Sequence, residues 1–494
     1  MENTVKHKLK LNIPRTITVG LAFFTISMFW QVYDNLMPLF LLDFDFGATA
    51  RGAIMALDNI LAVVLLPFMG ILSDRFPNKL RSKIGRRMPF IICGSVLASA
   101  TFLLVNYAHN AHNLALMLVM TAFVLVFMCL YRTPAVSLMP DVTPKPIRST
   151  ANAVINIMGT AGGVITLILM TFLLKTEPRI VDGNEVNYIV GSNWTLVSII
   201  SGMMVLAVVV MLIKVRENKF YEESLEIMRT LKIIDEKEEA QPHKKDSILK
   251  VLGTLSKSQL KSLLFLLLSV MMWFMAYNAM TTHFSVFALH VLGLEKFTLP
   301  LLIANAAAFI MYIPSVEIGK RFGRKKAVMF GVLLIIIGLA IATPFLIIPG
   351  TPRALIKTMM YPTFICVGGG WATINVHSFV MVVELSDEKT TGTYTGLYYA
   401  CSMTAQIITP IIAGAVMDYI APTGLIPYAL VFACLALLTM SFVRHGNAQK
   451  VDDAVKVITD ITNAVEEDAE INVTDEGVEV DYNMKNNENN TKAE

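Results

Sequence analysis

Charged residues are scarce in this sequence. Asp, Glu, Lys and Arg make up 16% of its 494 residues, whereas 55% of the residues are hydrophobic. A soluble globular domain carries roughly 25% charged residues. A water-soluble fold of this length cannot hide so much apolar surface, so the composition excludes a soluble protein and predicts one that lies in a lipid bilayer.

Motifs of catalysis and metal binding are also missing. The five cysteines include no pair with CxxC spacing, so neither a metal site nor a disulfide framework is indicated. The sequence has no HExxH, GxSxG or GxxxxGKS/T motif, which argues against a metalloprotease, a serine hydrolase and an ATP-driven pump. We therefore expect no enzyme activity, no cofactor, no bound metal and no nucleic-acid partner.

Long hydrophobic runs dominate instead. A spanning helix needs about 20 mostly apolar residues, and continuous runs of that length exclude the alternating pattern of a barrel strand. Twelve runs occur, at residues 17–42, 50–73, 88–107, 113–139, 150–174, 194–214, 262–289, 297–318, 326–348, 353–382, 391–417 and 424–443. The expected fold class is all-α integral membrane, with twelve transmembrane helices.

The predicted helices fall into two groups of six around a long polar break. A weak internal repeat supports a duplication, because Asp141 near the end of the fourth helix and Glu384 near the end of the tenth are each followed two residues later by a hydroxyl residue. Two pseudo-symmetric bundles around a central site are a recurring transporter plan. The expected organisation is a cytoplasmic N-terminus (1–16), a six-helix bundle (17–214), a cytoplasmic linker (215–261), a second six-helix bundle (262–445) and an acidic, disordered cytoplasmic tail (446–494).

The linker leaves two interpretations open. Residues 220–231, FYEESLEIMRTL, have the pattern of an amphipathic helix on the inner membrane surface. A flexible linker is the alternative.

Lysine and arginine are distributed unevenly between alternate loops. With the N-terminus in the cytoplasm, the inner loops hold 29 of these residues and the outer loops hold six. Loops rich in Lys and Arg stay on the cytoplasmic side. We therefore expect a multi-pass protein of the plasma membrane with both termini, the 74–87 loop and the 215–261 linker in the cytoplasm.

The loop between the second and third helices carries the most specific motif. It contains Asp74 and Arg75 and, further along, Gly85, Arg86 and Arg87. This pattern resembles the signature loop of the major facilitator superfamily, and a shorter counterpart at 319–326 lacks the aspartate. The resemblance implies a conformational latch, in which the aspartate pairs with basic residues of the same face and holds the two halves in one state. The alternative is that the basic residues only anchor the loop on the cytoplasmic side.

The fourth predicted helix supplies a second resemblance. Its Arg132, Leu138 and Asp141, with Arg148 and an Ala-Asn-Ala stretch after the helix, are similar to the pattern of sucrose–proton symporters. The 74–87 loop likewise resembles that of the glycoside–pentoside–hexuronide cation symporters. The resemblance implies a major facilitator fold, a sugar-like substrate and coupling to H⁺ or Na⁺. It adds Asp141 and Arg148 to the expected latch, and the internal repeat adds Glu384.

The cation site of those families is not matched residue by residue. Thr121 stands where sucrose symporters have an aspartate, and Leu66 and Ala62 stand where melibiose-type symporters have acids. Ionisable groups within spanning helices are costly and usually functional. Asp34 and Asp58 lie roughly 10–14 Å below the outer ends of the first two helices. We expect one or both to bind the coupling cation, and the alternative is a packing role.

Candidate substrate contacts come from polar and aromatic residues of the spanning helices. Arg132 lies about 13 Å inside the cytoplasmic end of its helix, and its guanidinium can donate two parallel hydrogen bonds to vicinal hydroxyls. The alternative is a fixed ion pair with one of the two membrane aspartates. Sugars also need an aromatic face and further hydrogen-bonding groups. The expected substrate-binding residues are Arg132, Asp34, Tyr33, Asn278, Trp371, Asn375 and Gln406.

The function predicted from these features is secondary active transport. We expect cation-coupled symport of a sugar or glycoside by alternating access, in a protein that works as a monomer. A major facilitator exporter or antiporter of another small organic solute is the alternative, although the fifth helix has Gly159, Gly162 and Gly163 without the proline of the antiporter pattern. A membrane sensor or enzyme is the remote alternative, which is weakened because the loops of both faces lack a folded catalytic domain.

Overall fold

Twelve helices long and apolar enough to cross a membrane make up most of the molecule. The structure, a computed structural model, describes residues 11–74, 84–144, 147–181, 184–230, 255–385, 390–444, 470–474 and 477–481. The predicted fold class is thereby confirmed. The ends of the spans lie within five residues of the predicted ones, because the length of an apolar run is set by the thickness of the bilayer.

Seven α-helices in the described first half form six spans. They are α1 (Ile13–Leu42), α2 (Ala48–Met55), α3 (Leu57–Asp74), α4 (Met88–Asn110), α5 (Leu114–Asp141), α6 (Arg148–Leu173) and α7 (Trp194–Lys214). Helices α2 and α3 together make the second span, and they are separated by a single turn residue, Ala56. A shorter helix, α8 (Glu217–Thr230), follows the sixth span.

The described second half repeats the six-span arrangement. Its helices are α9 (Lys257–Val286), which continues into a π-helix (Phe287–Val291), and α10 (Thr298–Phe322), α11 (Arg324–Ile347), α12 (Arg353–Val383), α13 (Thr391–Tyr419) and α14 (Leu425–Ser441). Helix α9 begins with a capping box, in which the Ser256 hydroxyl accepts a hydrogen bond from the Gln259 N–H and the Gln259 side chain accepts one from the Ser256 N–H. These local bonds satisfy N–H groups that the first turn of a helix leaves unpaired.

Two strand pairs were not expected from the sequence. Strands β1 (Lys175–Val181) and β2 (Asn184–Val190) form an antiparallel hairpin between α6 and α7. Strands β3 (Glu470–Thr474) and β4 (Gly477–Asp481) pair in the same way, within the tail that the sequence predicts to be disordered. The rest of the predicted tail lies outside the described residues, as do residues 231–254 of the linker and the first ten residues.

The start of the linker forms the amphipathic helix that was one of its two interpretations. Helix α8 lies against the first half through Arg15, whose guanidinium pairs with Glu223 at 2.7 Å and lies 3.5 Å over the Phe220 ring. On the same helix, Ser224 and Ile227 are buried. Helix α8 is therefore part of the first bundle.

Alternating helix direction gives the molecule two faces. The hairpin face carries the β1–β2 hairpin and the connections α1–α2, α4–α5, α9–α10, α11–α12 and α13–α14. The linker face carries α8 and the connections α3–α4, α5–α6, α10–α11 and α12–α13. Residues in the middle of the spans lie between these faces.

Candidate functional site

Two aspartates and an arginine come together in the middle of the first half. Asp34 on α1 lies within electrostatic range of Asp58, which occupies the first turn of α3. The positive charge of Arg132 on α5 in turn acts on Asp58. The structure therefore gathers three residues, distant in sequence, that the scarcity of ionisable groups in the spans had singled out.

The Arg132 side chain is exposed and forms no ion pair with the described carboxylates. It is exposed in the middle of its span, and none of the described carboxylates lies within 4.0 Å of it. A guanidinium in contact with lipid at this depth would cost at least about 3 kcal/mol, which favours an orientation towards a cleft between the halves. The fixed ion pair that the sequence left open is not formed in this conformation.

The two aspartates differ in their immediate partners. Asp58 Oδ1 accepts hydrogen bonds from the Asn59 N–H at 2.5 Å and from Asn59 Nδ2 at 2.6 Å. Asp34 is half-buried and has no hydrogen bond or ion pair to the described residues. Because Asp34 keeps both carboxylate oxygens available, it is the better placed of the two to contact a ligand in the cleft.

An aromatic cluster surrounds Asp34 on its own helix. Tyr33 is fully buried, stacks on Phe29 with ring centroids 5.7 Å apart and meets the Trp30 ring edge-on. The Tyr33 hydroxyl and the Trp30 Nε1 have no hydrogen-bond partner among the described residues. Asp34 and Asp58 both act on Tyr33 electrostatically, so the predicted residue Tyr33 does lie at the carboxylate site.

The second half contributes a pair of stacked rings. Trp371 on α12 and Tyr277 on α9 are parallel, with ring centroids 3.7 Å apart and planes within 2°. Phe274 meets Trp371 edge-on at 5.3 Å. The charge of Asp34 acts on Tyr277, so the aromatic pair lies across the interface from the first-half carboxylates. Tyr277 was not among the substrate-binding residues expected from the sequence.

Two of the predicted amide side chains of the second half use only their nitrogen atoms in hydrogen bonds to the described residues. Asn278 Nδ2 donates to the Phe274 carbonyl at 2.8 Å, and Gln406 Nε2 donates to the Ser402 carbonyl at 3.2 Å. Each amide therefore keeps its oxygen as an acceptor. Asn375 is half-buried on α12, one helical turn beyond Trp371. Within the described residues, no hydrogen bond joins these amides to Asp34 or Asp58.

The linker face holds an ion network inside the first half. Asp141 Oδ2 accepts from Arg86 Nη2 at 2.7 Å and from Arg87 Nε at 2.9 Å. Arg87 also donates to the Ser73 hydroxyl, next to Asp74 at the end of α3. In this conformation these contacts tie α3, α4 and α5 to one another.

Other predicted latch residues have different surroundings. Arg148 donates from Nε to the Thr143 carbonyl at 2.9 Å. Burial lowers the pKa of Arg148, and the charge of Asp141 partly offsets that effect. Arg75 lies outside the described residues.

The second half has a counterpart of this network. Arg324 at the start of α11 forms an ion pair with Glu384 at the end of α12. Glu384 thus takes the position relative to Arg324 that Asp141 takes relative to Arg86 and Arg87. The neighbouring Lys325 donates from Nζ to the Val443 carbonyl at 2.6 Å, beyond the end of α14.

Glu217 is a functional candidate that sequence reasoning missed. Its carboxylate accepts hydrogen bonds from the backbone N–H groups of Arg86, Arg87 and Met88 at 2.9–3.0 Å, and so caps the N-terminus of α4 from helix α8. Gly85 makes this approach possible, because its φ is +87° and a Cβ there would lie 2.5 Å from the Glu217 carboxyl carbon. Burial raises the pKa of Glu217, and the three N–H donors partly oppose that shift.

Comparison with known proteins gives a family and a fold. A family model described as Major Facilitator Superfamily matches residues 19–410. Among solved structures, the chain is similar to a mutant of the nucleoside transporter NupG, with a TM-score of 0.61 and 12% identity, over 86% of this chain and 98% of that one. It is also similar to a D-xylose-proton symporter, with a TM-score of 0.58 and 14% identity, over 88% of this chain and 98% of that one. The curated protein sequences give no significant match.

Proposed function

This chain belongs to the Major Facilitator Superfamily, and on that premise we propose that it carries a sugar or glycoside across the membrane together with a cation. Its family and its twelve apolar helices make it a multi-pass membrane transporter and not an enzyme. Beyond the family, we propose a substrate class (a sugar or glycoside), a mechanism (symport) and a branch of the superfamily (that of the sucrose–proton symporters and the glycoside–pentoside–hexuronide cation symporters).

The observation that carries the proposal is the group of Asp34, Asp58 and Arg132. Two carboxylates within electrostatic range repel one another when both are charged. Binding a cation at one of them removes that repulsion, so the pair favours cation uptake. None of the described carboxylates lies within 4.0 Å of the Arg132 guanidinium. The guanidinium is therefore available to donate a pair of hydrogen bonds to adjacent hydroxyls.

The aromatic pair supports a sugar on the other side of the cleft. The apolar face of a pyranose packs on an aromatic ring, and Trp371 with Tyr277 offers such a surface opposite Asp34. The oxygens of Asn278 and Gln406 serve as acceptors for hydroxyl groups. A nucleoside is the second candidate substrate, because a base would stack on the same pair and the NupG nucleoside transporter shares the fold.

We propose that the linker face is cytoplasmic and that the conformation described here is open to that side. The distribution of Lys and Arg, 29 against six, supports the orientation. Arg132 is exposed and lies about 13 Å from the linker-face end of α5. Its exposure supports an opening of the cleft towards the linker face.

The test is uptake into proteoliposomes that contain the purified protein. Radiolabelled sugars, glycosides and nucleosides are offered in turn under an imposed H⁺ gradient, an imposed Na⁺ gradient or neither. We expect at least one sugar or glycoside to accumulate above its outside concentration with one of the gradients, and the accumulation to collapse with an ionophore for that cation. If only nucleosides accumulate, the substrate is a nucleoside and not a sugar or glycoside. Exchange without accumulation under either gradient would contradict symport.

A further inference from the structure

The two halves are joined at the hairpin face by a carboxylate that the proposed transport site does not use. Asp418, at the end of α13, accepts hydrogen bonds from the Ala48 N–H at 2.8 Å, the Thr49 N–H at 2.7 Å and the Thr49 hydroxyl at 2.7 Å. These donors form the first turn of α2 in the other half. One side chain therefore makes three hydrogen bonds across the interface of the bundles.

Helix α2 has no cap of its own. Its N-cap residue is Gly47, which has no side chain to accept a hydrogen bond, and its first turn contains no acidic residue. The first N–H groups of a helix lack partners within the helix, and the helix dipole favours negative charge there. Asp418 supplies both the acceptor and the charge, but only while the two halves are together on this face.

The backbones of α2 and α13 touch beside this cap. A Cβ placed at Gly414 would lie 2.6 Å from the Ala48 carbonyl carbon, and one placed at Gly52 would lie 2.5 Å from the Pro410 carbonyl carbon. His283 of α9 contacts the same Pro410 carbonyl oxygen at 2.8 Å. Glycine at both positions lets the two helices approach to backbone contact, which places Asp418 within reach of the end of α2.

Two further contacts across the interface lie on the same face. The Thr171 and Thr298 hydroxyls are 2.6 Å apart. Asn187, buried in strand β2, donates from Nδ2 to the Gly293 carbonyl at 2.9 Å. Among the described residues, these polar contacts help to close the hairpin face, and of the three only that of Asp418 involves a charged side chain.

We propose that Asp418 is the clasp of the hairpin face: it caps α2 in this conformation and must release α2 before the central site opens to that side. Loss of the clasp removes stabilisation from the closed face alone, because in the open conformation water reaches the Ala48 and Thr49 N–H groups. Asp418 is thus a positioning residue that sets the balance between the two conformations. The inference rests on alternating access by a major facilitator transporter and not on the identity of the substrate.

The experiment measures the distance across the hairpin face by pulsed electron paramagnetic resonance in liposomes. Spin labels are attached at Ala111→Cys and Ile348→Cys, in loops of the two halves, after the five native cysteines are replaced. In Asp418→Ala, we expect the long-distance, open population to rise about tenfold relative to the closed one, as for loss of a helix cap. Asp45→Asn removes the charge of another exposed carboxylate of this face, one that has no hydrogen bond or ion pair to the described residues, and should leave the populations unchanged.

A second variant tests the same clasp without touching Asp418. Gly47→Ser gives α2 a cap in its own half, and its side chain would meet the Asp418 carboxylate, since a Cβ at Gly47 lies 3.0 Å from it. We expect a shift towards the open population here too. A wild-type distance distribution in Asp418→Ala overturns the proposal. If that variant does not fold, a wild-type distribution in Gly47→Ser overturns it. The distance measurement does not depend on the substrate. If the wild type does not transport sugars, the proposed function is wrong, but the test of Asp418 still stands.

Discussion

Replacing Arg132 by lysine separates substrate binding from stability. Lysine keeps the positive charge in the cleft but loses the planar fork that donates two parallel hydrogen bonds. Because the Arg132 side chain is exposed and has no described carboxylate within 4.0 Å, the substitution breaks no ion pair among the described residues. Arg132→Lys should therefore reach the membrane and unfold at the wild-type temperature.

The expected loss lies in affinity. A hydrogen bond to a charged group contributes about 1.5–3 kcal/mol, and lysine replaces two directed bonds with one. Binding should weaken by roughly tenfold to a hundredfold. Calorimetry on the purified protein, with the sugar or glycoside that the uptake assay identifies, measures the dissociation constant directly.

A matched control is the same change at Arg15. Its guanidinium pairs with Glu223 at 2.7 Å and covers Phe220 at 3.5 Å, far from the cleft. Arg15→Lys should lower the thermal unfolding temperature and leave the dissociation constant unchanged, which is the reverse of the pattern at Arg132. Equal affinities of the wild type and Arg132→Lys would refute the anchor role.

Three further predictions concern coupling, pH and topology. Asp34→Asn or Asp58→Asn should abolish uphill accumulation and spare substrate exchange, and wild-type accumulation in both variants would contradict a cation site there. Burial raises the pKa of Glu217 above its usual 4.5, so the folded protein holds this proton more tightly than the unfolded chain does. The stabilisation from this group is present below about pH 4.5 and is lost as pH rises towards the raised pKa; Glu217→Gln should flatten that part of the profile of unfolding temperature against pH. An impermeant maleimide should label Ala111→Cys in intact cells and reach Lys219→Cys only after permeabilisation, and rapid labelling at Lys219 in intact cells would reverse the orientation.

The spans were predictable because their signal is local. A run of about 20 apolar residues specifies a membrane helix whatever lies around it. The β1–β2 hairpin has a weaker local signal, an Asp-Gly pair at residues 182–183, which is a typical hairpin turn. That signal alone does not predict two strands, because the flanking residues, such as Pro178 and Arg179, do not alternate between apolar and polar types as a strand with one buried face does.

Part of the site was predictable because ionisable residues are rare within the spans. Few ionisable residues lie within the spans, so Asp34, Asp58 and Arg132 were singled out, and the structure brings them together. Polar residues at the helix ends are many, and each can find a partner in water. Glu217 binds the start of α4 about 130 residues away in sequence, and Asp418 binds the start of α2 from 370 residues away. Only the packing of the helices decides which of these residues meet.

Ion pairs within each half differ from the polar contacts that join the two halves at the hairpin face. Ion pairs with low exposure, such as those of Arg87 with Asp141 and of Arg324 with Glu384, connect helices of the same half. Among the described residues, polar contacts between the halves at the hairpin face include hydrogen bonds of hydroxyls, an amide and the exposed Asp418. A transporter needs both of its conformations populated, and a gap of a few kcal/mol is enough to leave the minor one at a few per cent or less. Ionic contacts within each half therefore keep the bundles rigid, while contacts that water can replace allow the bundles to part.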